Sequence, residues 1–171
     1  MSIREDLAAG DLDRALATLR QRLADLAPAM ERAGGIVRES VAENFARQGR
    51  PTPWKASRRA GGKDGNGGKT LSLSGRLARS IRQAVRGNSV TVESTAPHAA
   101  THQFGARQGE FGHVKATIRA HLRKGRPVKA HTRTILAPWG DIPPRPFLLL
   151  QDEDRVAINN AIHDFLTKGL S

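Results

Sequence analysis

The sequence predicts an α+β fold, with helices at both termini around a small antiparallel sheet and a long projecting basic β-hairpin. Three observations carry this. Near both ends, apolar residues recur at steps of three and four, the period of an amphipathic helix. Between residues 113 and 134 they alternate with charged residues, the period of a strand. Gly and Pro crowd the stretches between these patterns. A chain of 171 residues suits a single domain spanning 1–171. Its expected parts are N-terminal helices (12–48), a flexible loop (49–70), a short helix with sheet and hairpin (71–150), and a C-terminal helix (151–169).

At the N-terminus, Leu12, Leu16, Leu19, Leu23, Leu26 and Met30 form one apolar stripe, with Asp11 placed to cap it. Pro28 removes an internal amide hydrogen bond, so the helix should kink or restart there. A second helical stretch carries Val37, Val41 and Phe45, interrupted by Gly34-Gly35 and stopped at Gly49. Residues 49–70 hold two prolines, five further glycines and lone Trp54, with no apolar period. That is loop composition. Ser74 then reads as the cap of a helix to about Gly87, with Leu77, Ile81 and Val85 on its inner face. Alternation around Val90 and Val92 marks a strand over Ser89–Ser94, and Pro97–Gly105 allows one helical turn ending at Gly105.

The strongest β pattern follows. Val114, Ala116, Ile118, Ala120 and Leu122 alternate with Lys115, Thr117, Arg119, His121 and Arg123. After a turn at Lys124-Gly125-Arg126-Pro127, the chain returns through Val128, Ala130, Thr132 and Thr134 against Lys129, His131 and Arg133. The expected hairpin has one weakly apolar and one strongly basic face. Ile142-Pro143-Pro144-Arg145-Pro146-Phe147 must be extended, because three prolines forbid helix and interior strand. Asp152 then caps a last helix carrying Val156, Ile158, Ile162, Phe165 and Leu166, closed by Lys168 and Gly169.

The formal net charge is +12 and unevenly spread. Residues 45–140 hold nineteen Lys/Arg against Asp64, Glu93 and Glu110, while both ends carry more acids than bases. Like charges held together repel, so a block of this kind faces a polyanion or an acidic protein surface. In the hairpin, Lys115, Arg119, Arg123, Lys124, Arg126, Lys129 and Arg133 are the candidate partner-binding residues. No acid lies between Gly112 and Pro138.

Other chemistries find little support. The chain has no cysteine, which removes disulfides, thiolate metal sites and thiol catalysis. It has no run of about 18 apolar residues, so no membrane partner is expected. The N-terminus carries acids and lacks the apolar region of a secretory signal. Gly67-Gly68-Lys69-Thr70 resembles the tail of a phosphate-binding loop, but the glycine five positions before Gly68 is Lys63. His98 and His102 could share a helix face, yet Ala99-Ala100-Thr101 lacks the Glu of a metalloprotease motif. No nucleophile-elbow spacing surrounds Ser74 or Ser80. Neither an enzyme, a cofactor nor a metal is expected. A sequence-independent DNA-binding protein using the basic hairpin is the alternative reading, without a stacking platform or helix-turn-helix to strengthen it.

Four stretches in order carry a family resemblance: Pro53-Trp54, Leu71–Ile81 (LSLSGRLARSI), His98–Gly105 (HAATHQFG) and Ile142–Leu149 (IPPRPFLL) before a final helix. The set resembles the virion morphogenesis, or tail-completion, proteins of contractile-tailed phages, including the G-like proteins of Mu-type phages and prophages. The resemblance implies a structural, non-catalytic part in finishing the tail and joining it to the head, at the neck of the virion. It implies a ring of self-associated copies, typically a hexamer around the DNA channel, assembled in the host cytoplasm. The implied partners are tail-tube or head-connector proteins, with possible contact to packaged DNA. It brings no catalytic residue.

Overall fold

In the computed structural model, which describes residues 3–61 and 68–169, the elements run α1 (Ile3–Ala24), α2 (Ala27–Arg47), α3 (Arg58–Gly61), α4 (Arg76–Arg79), β1 (Ile81–Arg86), β2 (Ser89–Ser94), α5 (Ala99–Phe104), β3 (His113–Ile118), β4 (His121–Arg123), β5 (Arg126–Val128), β6 (His131–Leu136) and α6 (Asp152–Thr167). The fold is mixed α+β with helices at both ends, as the sequence predicts. The strands make three two-stranded antiparallel ladders, β1–β2, β3–β6 and β4–β5, rather than one small sheet. Two compact units emerge. One joins the described residues up to Ala96 with those from Phe147 on; the other is Pro97–Pro146.

In the first unit, helix α1 begins at Ile3, so Asp11 lies within it and pairs with Arg14 at 2.9 Å instead of capping. The helix breaks only at Asp25-Leu26. Pro28 therefore falls in the first turn of α2, where its missing amide leaves no bond unmade. Gly34-Gly35 does not interrupt α2. The helix runs through both glycines, and a Cβ at Gly34 would lie 2.8 Å from Val90 Cγ2 of β2. The glycine permits close packing of helix on hairpin rather than a break. The helix ends where Gln48 turns left-handed (φ 63°), and Gly49 N–H returns to Asn44 O at 2.8 Å.

The segment after Gly49 is not loose at its start. Trp54 N–H donates to Gln48 O (2.7 Å), and the Trp54 ring stands edge-on to Phe45 with centroids 5.6 Å apart. Phe147 meets Phe45 from another side at 5.5 Å, and these three rings centre the core of the unit. Thr70 is also buried, its hydroxyl accepting Ser57 N–H. The flexible loop expected over 49–70 thus has anchored ends. Its stretch 62–67 lies outside the described residues.

The helix expected from Ser74 to Gly87 is a single turn. Gly75 takes the capping position with φ 69°, and the chain straightens into β1 at Ile81. Strands β1 and β2 pair from Ile81↔Ser94 to Arg86↔Ser89 around Gly87-Asn88, with the Ser80 and Ser94 hydroxyls bonded at 2.7 Å. Helix α6 is capped one residue earlier than expected. Gln151 is the cap, and its N–H donates to Asp154 Oδ2 at 2.8 Å in a capping box.

A polar network ties α2 to this cap. Ser40 Oγ donates to Asp154, and Arg50 donates to Asn44 Oδ1 (2.9 Å), Glu43 (2.9 Å) and Ser40 O (3.1 Å). Asn44 in turn donates to Phe147 O at 3.0 Å. Each buried polar group in this region therefore finds a partner, which is the condition for burying it at all. At the other end of α6, Arg22 of α1 donates to Leu166 O (2.9 Å) and Lys168 O (2.5 Å), carbonyls that the helix leaves without internal donors.

In the second unit, α5 ends at Gly105, as the sequence predicts. The 137–146 segment then runs back alongside residues 102–112. Ala106 and Ile142 exchange both backbone bonds (2.9 and 2.8 Å), Arg145 N–H donates to His102 O (2.8 Å), and Phe111 N–H donates to Ala137 O (2.8 Å). Pro143, Pro144 and Pro146 lie on this extended stretch, where they withhold donors that no ladder needs.

Candidate assembly interface

The hairpin forms from the alternating residues, in a single register. Pairing runs from His113↔Leu136 to Ile118↔His131 and resumes from His121↔Val128 to Arg123↔Arg126. The turn is tighter than expected. Only Lys124 and Gly125 bridge the arms, both with positive φ (50° and 75°), while Arg126 and Pro127 belong to β5. Positive φ at both central residues matches the twist of the flanking strands.

This register overturns the expected separation into an apolar and a basic face. A two-residue turn sets each even-numbered residue of the outgoing arm opposite an odd-numbered residue of the return arm. Ala116 therefore faces Arg133 and Ile118 faces His131, so apolar and basic side chains share a face. All seven candidate residues are exposed. Lys115 lies on β3 and Arg133 on β6, Arg123 and Arg126 lie directly opposite one another, Lys124 forms the turn, and Arg119 and Lys129 occupy the gap between the two ladders. Among the described residues none of the seven is ion-paired. Like charges opposed on a ladder destabilise it by a few tenths of a kcal/mol, roughly the size of a good cross-strand pair with the sign reversed. Arg133 also lies over the exposed Trp139 ring, 5.8 Å from its centroid.

One feature of the arm escapes a reading by period. Arg119-Ala120-His121 and Lys129-Ala130-His131 are near-copies that sit across from one another. In each, the His Nδ1 hydrogen-bonds the carbonyl two residues earlier, Arg119 O at 2.9 Å and Lys129 O at 3.0 Å. The ladder lapses between these two turns. The basic-Ala-His repeat was the available signal.

The motif residues serve the fold. Trp54 and Phe147 lie in the core of the first unit, while Ser74, Gly75 and Ser80 shape the entry to β1. The HQFG and IPPRPF stretches join one another through the His102, Ala106, Ile142 and Arg145 backbone bonds. His98 and His102 do meet, ring centroids 5.5 Å apart and edge to face. Among the described residues, however, no group of three His, Cys, Asp or Glu side chains could hold a metal ion.

Burial holds His102 below the ordinary imidazole pKa, and the nearby His98 and Arg145 charges push it the same way; its Nδ1 is buried without a partner. A folded-state pKa below that of the unfolded chain means the unfolded chain binds the proton more readily. We therefore expect the stability of the protein to be level above about pH 7 and to decline as pH falls through about 6.5. His102→Gln should reduce that decline. NMR titration of the His102 ring provides the direct check, and a midpoint at or above that of a free histidine would refute the assignment.

The chain belongs to the phage virion morphogenesis family, whose sequence profile matches residues 8–167, and this makes it a structural protein of phage assembly. Its similarity extends to Mu-like prophage FluMu G protein 2 of Haemophilus influenzae, 31% identical over 157 residues that cover 92% of this chain and 90% of that protein. No solved structure matches. Among the described residues no helix is long and apolar enough to cross a membrane.

Proposed function

We propose that this protein is a non-catalytic tail-completion protein of the virion neck, joining tail to head as a ring of self-associated copies, with the hairpin docking on an acidic surface of a neighbouring subunit or connector protein. The observation that carries the reading is the hairpin tip. Leu122, 73% exposed, lies opposite Pro127 on one face of the tip, the opposed Arg123 and Arg126 lie on the other face, and Lys124 forms the turn. Holding these charges together is unfavourable until something anionic meets them. An exposed apolar group on the same tip suits a protein surface, since a phosphate backbone offers it nothing to bury against.

The test is to change Arg119, Arg123, Lys129 and Arg133 to Glu together. We expect the variant to fold and to leave filled heads and finished tails separate in electron micrographs. Normal joining, with an unchanged circular dichroism spectrum, would end the proposal. The exposed Trp139 ring beneath Arg133 gives a second reading some ground, that of sequence-independent contact with packaged DNA. On that reading the isolated protein binds duplex DNA with a log–log salt slope near −0.9 per phosphate neutralised. The protein-partner reading predicts weak binding instead.

A further inference from the structure

The leucines of α1 are only partly used by the fold. Arg22 and its neighbours on that side of the helix lie toward α6, and Ala15, Thr18, Leu19 and Leu26 are half-buried. Leu12, Leu16 and Leu23 remain 59%, 43% and 49% exposed, on a stripe rotated away from that contact. Their spacing is not arbitrary. Together with Leu19 they recur at steps of four, three and four, the pattern of a coiled-coil seam over two heptads. Asp13 and Arg20, seven residues apart and both exposed, flank the open side of the stripe.

We infer that this seam docks on α1 of a second copy, antiparallel and related by a two-fold axis. The order of residues favours that arrangement. Setting Leu16 against Leu19 of the second copy also sets Leu12 against its Leu23, so each layer pairs one seam position with the other, as antiparallel coiled coils do. In the same register Asp13 of each copy comes beside Arg20 of the other, giving two equivalent ion pairs. A parallel pair would carry Asp13 and Arg20 of the two copies on opposite flanks of the seam and form neither ion pair. The surface is thus complementary to itself under a two-fold rotation, the requirement of an isologous interface. Two heptads bury little, so the association is weak and depends on concentration. It is independent of how the hairpin is used.

The absence of cysteine makes the test clean. Full-length Leu12→Cys and Leu23→Cys variants are oxidised separately and as a mixture. In the antiparallel pair, residues 12 and 23 of different copies face each other. Two copies of the same position stand eleven residues apart along the axis, about 16 Å at 1.5 Å per residue and beyond disulfide reach. We expect a cross-linked dimer from the mixture and none from either variant alone. Cross-linking of each variant with itself would show parallel pairing. No cross-link at all would show that something else covers the seam. Either result overturns the inference. A second measurement avoids the leucines. Asp13→Arg and Arg20→Asp should each weaken concentration-dependent self-association about tenfold, and a 1:1 mixture of the two should restore it. Failure of the mixture to recover would likewise overturn the inference.

Discussion

Phe147→Ala should destabilise the protein by about 4 kcal/mol, the middle of the range for an aromatic core truncation. The side chain is fully buried, at 0% exposure, and packs against Phe45, which in turn packs against Trp54. Removing the ring takes away its transfer free energy. It also leaves a cavity that the neighbouring rings cannot fill without losing their own contacts. The backbone at this residue is committed as well, because Phe147 O accepts from the buried Asn44 amide. A collapse that moved the chain toward the cavity would strain that bond. Urea unfolding of the variant beside Phe147→Leu provides the measurement, with the leucine variant expected to lose about 1 to 2 kcal/mol. Equal losses for the two would mean that ring volume is not what holds the site.

Gly105→Ala is the second large effect, and its cause is backbone rather than burial. Gly105 has φ 80° and ψ −177°, a region closed to residues with a side chain. A Cβ there would lie 2.6 Å from Ile142 O and 3.0 Å from Pro144 N, both backbone atoms that cannot swing aside. The substitution should cost about 3 kcal/mol or more, with loss of protection at the Ala106 and Ile142 amides in hydrogen exchange. Gly109→Ala is the matched control. It also has positive φ (79°), but its nearest neighbour would be a leucine methyl at 3.5 Å, so about 1 to 2 kcal/mol of conformational strain is all it should lose. If the two alanines behaved alike, the close approach of the proline segment to Gly105 would not be what makes glycine necessary there.

The parts of this fold that could be read in advance are those whose residues obey one period and no other. α6, β2 and the hairpin arms belong here, as does the proline stretch, where the missing donors forbid the alternatives. β1 carries a helical signal in the sequence because Ile81 and Val85, four apart, share a face in either structure. Trp54 gave no periodic signal at all; its neighbours are prolines and small polar residues, and the ring it packs against lies on α2. The Arg50 network joins residues about a hundred positions apart, which no local pattern can reveal. In the hairpin, the basic residues were visible one by one, but their distribution over two faces follows from the parity of the pairing, because an even number of turn residues sets even-numbered positions of one arm opposite odd-numbered positions of the other.

The lapse in the hairpin ladder has a mechanical consequence. Interstrand pairing fixes the base from His113 to Ile118 and the tip from His121 to Arg123, each with its partner strand, while residues 119–120 and 129–130 between them belong to neither ladder. Bending at that level breaks no ladder bond. The histidine rings folded onto the Arg119 and Lys129 carbonyls hold each strand's local turn from within, so neither needs the other strand to keep its shape. The hairpin is thus a jointed lever rather than a stiff rod. Its charged end can change angle against the base through a few soft torsions, without unzipping the base.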